Sequence, residues 1–368
     1  MIKNRLEKLN GLLDKCNLDG VAIMPGPNMH YFADLDFHLS ERTILALFLP
    51  GEDPALIVPG FEQFKVEHTP EPLPWRIFPW RDEDGVQGAF QACCEALGIA
   101  GKRIGVESFG LRFQEYALLQ QYAAGAEIVP ADPLITQMRQ TKDEVEIARM
   151  REAIALVEGV LQETLPKIKI GMTEKEVAAE LLVGLFKAGS EALPFDPLVQ
   201  TGATGATPHA SPGERRLAEG DLLIIDVGAR VKGYASDITR TFAVGEISPK
   251  AKEIYKLVNQ ANAAGRAASK PGAACQDVDR AARAIIEEHD YGQYFIHRTG
   301  HGLGLEGHEP PYLVEGDTNL LEPGMTYTVE PGIYIQGVGG VRIEDNVVIT
   351  KTGAETLTSF SRDLMTVG

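Results

Sequence analysis

Short apolar runs and amphipathic stretches alternate over the first part of the chain. The runs GVAIM (20–24), TILALFLP (43–50) and PALIVPG (54–60) are continuous and short, which is typical of buried β-strands. Residues 1–20 place leucines at helical spacing among charges, and GVQGAFQACCEALGIAG (85–101) predicts a helix that ends at a glycine. This alternation predicts a small α/β domain.

The pattern changes near residues 131–140 (ADPLITQMRQ). From there, TKDEVEIARMREAIALVEGVLQETL predicts one long helix, with Thr141 as the expected N-cap and Glu144 completing a capping box. We therefore place a domain boundary near residue 135, which gives domains over 1–135 and 136–368. A chain of 368 residues is long enough for two hydrophobic cores.

The second domain contains an internal repeat. Residues 171–189 (GMTEKEVAAELLVGLFKAG) and 272–292 (GAACQDVDRAARAIIEEHDYG) both begin and end with glycine and predict an amphipathic helix. Further on, EGDLLIIDVG and PGMTYTVEPG each end an apolar run with an acid, Asp226 or Glu330, two residues before a glycine. Two such copies predict an α+β domain with a pseudo-twofold axis that brings equivalent strand ends together.

A second acid follows the first in each copy, which gives the pairs Asp226/Asp237 and Glu330/Glu344. The intervening segments contain glycine and predict strand–turn–strand hairpins. Turns centred on residues 231–232 and on Gly337 would place the two acids of each pair directly opposite one another. Their Cβ atoms would then lie about 5 Å apart.

A carboxylate at the end of an apolar strand needs a cationic partner. For a single acid, that partner would be a nearby base such as Arg240 or Arg342. The segments do not supply four such partners, so bound divalent metal is the better interpretation of two matched pairs. Carboxylates with an imidazole suit Mn²⁺ or Co²⁺ better than they suit thiolate-type zinc, and two ions can share bridging carboxylates.

The stretch RTGHGLGLEGHEPP (298–311) contains the letters G-x-G-x-x-G of a dinucleotide-binding loop. Such a loop should follow an early strand, with an acid about twenty residues further on. Here it comes late in the chain, among the histidines His297, His301 and His308. We therefore interpret Gly302 and its neighbours as residues that let the backbone approach a metal centre closely.

Composition narrows the classes of partner. A net charge of −17 disfavours nucleic-acid binding, which needs clustered Lys and Arg. No apolar run approaches the roughly 20 residues of a membrane span, and the N-terminus does not look like a signal peptide. The four cysteines show neither zinc-ligand spacing nor a disulfide framework. We expect a soluble, cytoplasmic protein with reduced thiols and no nucleic-acid or membrane partner.

With these residues identified, the chain resembles the pita-bread metallopeptidases of the creatinase/methionine aminopeptidase superfamily. The similarity lies in GHGLGLEGHEPP, EPGIYI and GGVRIED around five ordered residues, Asp226, Asp237, His301, Glu330 and Glu344. The Xaa-Pro peptidases, prolidase and aminopeptidase P, are the most similar branch. MPGPNMHYFADLDF and RTILALFLPGEDPALIVPG resemble the creatinase-type N-terminal domain that precedes the catalytic domain in that branch.

The resemblance implies a role for each matching residue. The five ordered residues would bind two divalent ions, Mn²⁺ first with Co²⁺ or Zn²⁺ as alternatives, and Asp237 and Glu344 would bridge them. A bridging hydroxide would attack the Xaa-Pro bond, with Glu330 as proton shuttle and His308 stabilising the tetrahedral intermediate. The implied substrate-binding residues are His209, His297, Tyr312 and Arg342.

The resemblance leaves the length of the substrate open. Prolidases that demand a free proline carboxylate resemble one another in an arginine four residues after the catalytic histidine, where this chain has Tyr312. We expect an Xaa-Pro dipeptidase, with aminopeptidase P acting on longer Xaa-Pro-Yaa peptides as the alternative. Creatinase-like hydrolysis would not need the full metal set, and a non-catalytic binding protein would lack ligands that are all present here. A homodimer is implied by the resemblance alone.

Overall fold

The apolar runs near the N-terminus form strands of a single sheet. In the computed structural model, which describes residues 1–69 and 71–368, the chain divides into the units Met1–Arg139 and Gln140–Gly368. The sheet of the first unit has the order β4-β3-β2-β1-β5-β6. Its strands are β1 (Gly20–Ile23), β2 (Leu45–Phe48), β3 (Ala55–Pro59), β4 (Arg76–Trp80), β5 (Arg103–Val106) and β6 (Glu127–Pro130).

Helices complete the α/β pattern of this unit. They are α1 (Ile2–Lys15), α2 (Pro27–Ala33), α3 (Phe64–Glu67), α4 (Gln87–Leu97), α5 (Phe113–Tyr122) and α6 (Asp132–Arg139). Phe90 and Cys93 on one face of α4 are buried in the same core as Leu45 and Ile57 of the sheet. Gly98 ends α4 in the left-handed conformation, at φ 56°. The predicted small α/β domain is confirmed.

The C-terminal unit contains two successive sets of two helices followed by strands. The first set is α7 (Glu144–Thr164), α8 (Glu174–Lys187), β7 (Leu198–Thr201), β8 (Leu222–Val227), β9 (Arg230–Val231), β10 (Tyr234–Ala235) and β11 (Ile238–Val244). The second is α9 (Pro249–Ala268), α10 (Cys275–Glu287), β12 (Gly300–Gly302), β13 (Glu309–Leu313), β14 (Thr326–Val329), β15 (Gly332–Ile335), β16 (Gly339–Arg342) and β17 (Asp345–Ile349). β18 (Ala354–Thr356) and β19 (Thr366–Val367) come last. The larger sheets have the orders β19-β11-β8-β7 and β13-β12-β14-β17-β18.

Backbone hydrogen bonds support the predicted repeat. The loop before α8 and the loop before α10 are each held by two hydrogen bonds of 2.8 Å to a single later leucine. The bonded residues are Gly171 and Met172 with Leu217 in the first copy, and Gly272 and Ala273 with Leu321 in the second. The predicted α+β class of this domain is confirmed.

The predicted start of the long helix α7 is wrong by two residues. Its N-cap is Asp143, whose side chain accepts from the backbone of Val145 and Glu146 at 2.9 Å, while Glu146 accepts from the Asp143 N–H. Thr141 lies instead in a β-bridge with Met325. Both T-x-x-E and D-x-x-E occur in TKDEVE, and the tertiary β-bridge determines which of them caps the helix.

Two features bear on the predicted environment of the chain. No described helix combines the length and the apolar character that crossing a membrane requires. All four cysteines are free, and burial raises the pKa of the Cys93, Cys94 and Cys275 thiols to about 12. These three thiols are therefore protonated and unreactive at neutral pH.

Replacing Gly300 by alanine is expected to destabilise the C-terminal unit by about 2–3 kcal/mol, because the new methyl group would overlap the carbonyl oxygen of Thr328. Gly159→Ala in α7 is the matched control, since nothing lies within 4 Å of its added Cβ and alanine is the better helix former. Urea denaturation followed by circular dichroism measures both variants. A Gly300→Ala protein as stable as the wild type would contradict the close approach of β12 to β14.

Candidate metal centre

Strand ends from both copies of the repeat meet at one cavity of about 550 Å³. Eight of the ten predicted site residues line it: His209, Asp226, Asp237, His297, His301, His308, Glu330 and Arg342. Glu344 and Tyr312 are not among the lining residues of the described chain; Glu344 is buried at 1% exposure, and Tyr312 lies in β13. The sequence did not single out the other lining residues, which are Phe195, Asp196, Leu198, Pro208 and Arg298.

The first pair of acids lies on one face of a hairpin, but not directly opposite. Asp226 in β8 faces Thr239 of β11, so Asp237 is its diagonal neighbour and the predicted register is wrong by two residues. The turn occupies Lys232 and Gly233, which adopt φ 49° and 80°, one residue later than predicted. Because side chains alternate with a period of two, this shift keeps both acids on the same face.

The second pair of acids has the predicted register. Val329 faces Asp345, and Gly332 faces Arg342, which is one continuous alignment across the two strand pairs. This alignment places Glu330 opposite Glu344, as a hairpin centred on Gly337 predicts.

The imidazole of His301 lies between the two acid pairs. Its Nδ1 is 3.1 Å from the carbonyl oxygen of Gly302, which can only accept a hydrogen bond, so Nδ1 donates there. Nε2 lies 3.2 Å from Glu330 Oε1 and 3.8 Å from Asp237 Oδ2. One atom each of Asp237, His301 and Glu344 lie within 4.8 Å of one another, which is close enough for a shared ion.

The buried acids are electrostatically frustrated. Burial raises the pKa of Asp237 well above its usual value, and the charges of Glu344 and Asp226 raise it further. Burial and the charge of Glu330 likewise raise the pKa of Glu344. Burial also favours the neutral form of Glu330, but His301, His297 and Arg342 outweigh it and hold its pKa at about 2.

The hydrogen bonding of the carboxylate oxygens shows whether cations fit this cluster. Asp226 Oδ1, Asp237 Oδ1 and Glu344 Oε1 are buried and have no hydrogen-bond partner among the described residues. Unpartnered buried acceptors are costly, and divalent cations bound among these acids would satisfy them. Oxygen ligands with one imidazole suit such an ion.

Among the described residues, an arginine or lysine partner is found at only one of these four acids. Arg342 Nη2 donates to Asp226 Oδ2 at 2.6 Å, and Nη1 donates to the Tyr334 hydroxyl at 2.9 Å. Arg240, the other candidate base, pairs with Asp345 at 3.0 Å instead. Arg342 therefore stabilises the negative charge of Asp226, and the positive charge of Arg342 is already paired with that carboxylate.

Two polar residues that the sequence did not mark orient Glu344 and Asp237. The Thr239 hydroxyl donates to Glu344 Oε2 at 2.6 Å. The Asn346 amide holds the backbone of Asp237, donating to its carbonyl at 2.6 Å and accepting from its N–H at 3.2 Å. A threonine and an asparagine inside strands carry no distinctive sequence signal, since only the tertiary fold brings them to these acids.

The other predicted histidines lie around the same cavity. The His308 ring stands nearly perpendicular to that of His301, with centroids 3.8 Å apart. Burial, together with the charges of His301 and Arg298, lowers the pKa of His308 to about 4, so its imidazole is neutral. His297 Nε2 lies 2.9 Å from the Tyr334 hydroxyl. His209 is exposed at the cavity wall.

The glycines between the histidines serve strand packing. An added Cβ at Gly302 would overlap the carbonyl oxygens of Glu309 and Pro310, and one at Gly304 would lie 2.7 Å from the Glu309 carboxylate. These glycines therefore let their backbone pack closely against β13 and the Lys142–Glu309 pair. They affect the metal centre only indirectly, through this packing.

Glu309, the residue directly after His308, forms a buried ion pair with Lys142. The Lys142 and Glu309 side chains are 1% and 4% exposed, and Lys142 also donates to the Gln140 carbonyl at 3.3 Å. Glu309 begins β13, so the pair fixes the end of the loop that carries His308. Residues 142 and 309 are far apart in the sequence, which is why no local pattern pointed to them.

Lys142→Met is expected to destabilise the protein by about 3–5 kcal/mol, because it leaves the Glu309 carboxylate buried without its partner. Lys142→Met/Glu309→Gln should recover much of that loss. Lys175→Met is the matched control: its pair with Glu214 is exposed, at 59% and 78%, and its loss should cost less than about 1 kcal/mol. Equal losses in the two single variants, measured by chemical denaturation, would contradict the buried pair.

Mn²⁺ is expected to raise the melting temperature of the wild type and not that of Asp237→Asn, because an ion that binds only the folded state stabilises it. Without metal, Asp237→Asn should melt no lower than wild type, since it removes one of the buried like charges. Calorimetry with and without chelator, together with metal content by mass spectrometry, measures both effects. Asp53→Asn at an exposed acid is the control. A normal Mn²⁺ response in Asp237→Asn would exclude that residue as a ligand.

Comparisons with known proteins agree with this geometry. Residues 148–351 match the family model of metallopeptidase family M24, and residues 5–141 match that of the creatinase/prolidase N-terminal domain. An Xaa-Pro dipeptidase of Pyrococcus horikoshii is 35% identical over 99% of both chains. The structure of a prolidase from Thermococcus sibiricus covers 100% of this chain and 99% of its own at a TM-score of 0.94 and 30% identity. That of an X-Pro aminopeptidase from Thermotoga maritima covers 98% and 99% at a TM-score of 0.87 and 30% identity.

Proposed function

The chain belongs to metallopeptidase family M24, and from this premise we propose that it is a metallo-exopeptidase that cleaves Xaa-Pro bonds, acting as an Xaa-Pro dipeptidase. Full-length relatives named Xaa-Pro dipeptidase support this substrate class. The observation that carries the proposal is the cluster of buried acids around His301, with three carboxylate oxygens that lack a partner in the described chain.

Membership of this family implies divalent metal ions, and the residues present fit them. We propose two ions, Mn²⁺ first with Co²⁺ or Zn²⁺ as alternatives, bound by Asp226, Asp237, His301, Glu330 and Glu344. Such ions activate a water for attack and polarise the scissile carbonyl.

The side chains of the protein perform the remaining steps. Glu330 accepts the proton of the attacking water and delivers it to the proline nitrogen, which leaves poorly unless protonated. Neutral His308 donates a hydrogen bond to the oxygen of the scissile carbonyl as negative charge develops there. His297 and His209 position the peptide in the cavity, and Arg342 orients Asp226 and favours its charged form.

Aminopeptidase P activity on longer peptides is the second candidate. Tyr312 occupies the position at which strict dipeptidases resemble one another in an arginine, and the X-Pro aminopeptidase of Thermotoga maritima shares the fold over nearly the whole chain. The two activities differ in whether proline ends in a free carboxylate or continues into a further residue, so a paired dipeptide and tripeptide assay separates them.

After reconstitution with Mn²⁺ or Co²⁺, we expect Ala-Pro to be hydrolysed faster than Ala-Pro-Ala, as measured by chromatography of the products. Glu330→Gln should lower kcat on both by about 10²–10⁴-fold, because it removes the proton shuttle. Glu214→Gln at an exposed position is the control and should match wild type. Faster cleavage of the tripeptide would favour aminopeptidase P, and an undiminished Glu330→Gln enzyme would overturn the proton-shuttle mechanism.

A further inference from the structure

One of the two arginines at the cavity has no acidic partner. Arg342 is 2% exposed and is held by Asp226 and Tyr334. The half-buried Arg298 also lines the cavity. No ion pair joins its guanidinium to a carboxylate within the described chain; its side chain stacks on the ring of Tyr312, whose centroid is 4.4 Å from its Cζ.

Arg298 lies beside the reaction centre. It precedes the ligand His301 by three residues, and Tyr312, on which it stacks, faces His301 across β12 and β13. Arg298 and His308 both line the cavity. A fixed cation therefore stands in the cavity close to the position at which the scissile carbonyl must bind.

The stacking contact leaves the guanidinium available. Tyr312 holds the guanidinium over an aromatic ring, and no carboxylate of the described residues occupies its N–H donors. A carboxylate is the group that matches this fork of donors, and such pairs are frequently bidentate. The contact with Tyr312 thus holds the Arg298 guanidinium in place without neutralising its charge.

We propose that Arg298, oriented by Tyr312, binds the free α-carboxylate of the residue on the C-terminal side of the scissile bond. This inference rests on the proposed Xaa-Pro peptidase function and identifies how the site recognises a dipeptide. In Xaa-Pro, the carboxylate carbon is only two bonds from the peptide nitrogen, so a cation near His308 is within reach of it. In a longer peptide, the same position holds a neutral amide, which leaves the guanidinium without a counter-charge.

The test compares Ala-Pro with Ala-Pro-NH2, which has the same size and lacks the negative charge, on the Mn²⁺-loaded enzyme. Wild type should prefer Ala-Pro, and Arg298→Gln should lower the ratio of kcat/KM for Ala-Pro over Ala-Pro-NH2 by on the order of 10²-fold, mainly through KM. Arg298→Lys keeps the charge without the fork and should give an intermediate ratio. Arg280→Gln, at an arginine 52% exposed, is the matched control and should keep the wild-type ratio.

The two substrates separate the possible outcomes. A wild-type enzyme that cleaves neither substrate would overturn the proposed function, and this inference with it. A wild type that prefers Ala-Pro, together with an Arg298→Gln variant that keeps the same ratio, would overturn this inference alone.

Discussion

Mutual repulsion among buried carboxylates is the constraint on which the rest of the C-terminal unit depends. Asp237 and Glu344 end up inside an apolar domain, where burial and like charge both oppose their ionisation. Within the described part of the chain, an arginine pairs with Asp226 but not with Asp237 or Glu344, which Asn346 and Thr239 orient without neutralising them. The fold therefore leaves a deficit of positive charge of the kind that divalent ions can fill, and its stability becomes linked to their binding.

The duplicated topology explains how the acids meet. A difference between the two copies explains why a histidine is found at this cluster on one side only. Each copy ends an apolar strand with one acid and returns a second acid through a hairpin. The position equivalent to His301 in the first copy is Gln200, because β7 lies beside β8 as β12 lies beside β14. Its amide donates to the carbonyls of Pro208 and Ala210, on either side of His209. One copy thus provides the imidazole that we propose as a metal ligand, and the other holds the loop that carries a cavity histidine.

The sequence predicted those parts of the molecule that have local causes. Apolar runs identified β1, β2 and β3, and an acid at the end of such a run marked Asp226 and Glu330. The errors arose where tertiary contacts choose between local alternatives: the α7 cap shifted because Thr141 pairs with Met325, and the first hairpin shifted because Lys232 accepts a positive φ. Lys142 and Glu309 carry no local signal, since each is explained only by a partner far away in the sequence.

The segment from Arg298 to Glu309 concentrates the chemistry on one short piece of backbone. It carries His301, which we propose as a metal ligand, the neutral His308 and the arginine that we propose for the substrate carboxylate. Its glycines let β12 and β13 approach too closely for any other residue. The buried Lys142–Glu309 pair fixes its far end. Because all three groups lie on one tightly packed hairpin, their mutual distances are set by the fold before substrate arrives. Such preorganisation is what electrostatic catalysis requires, since groups that had to reorganise during the reaction would stabilise the transition state less.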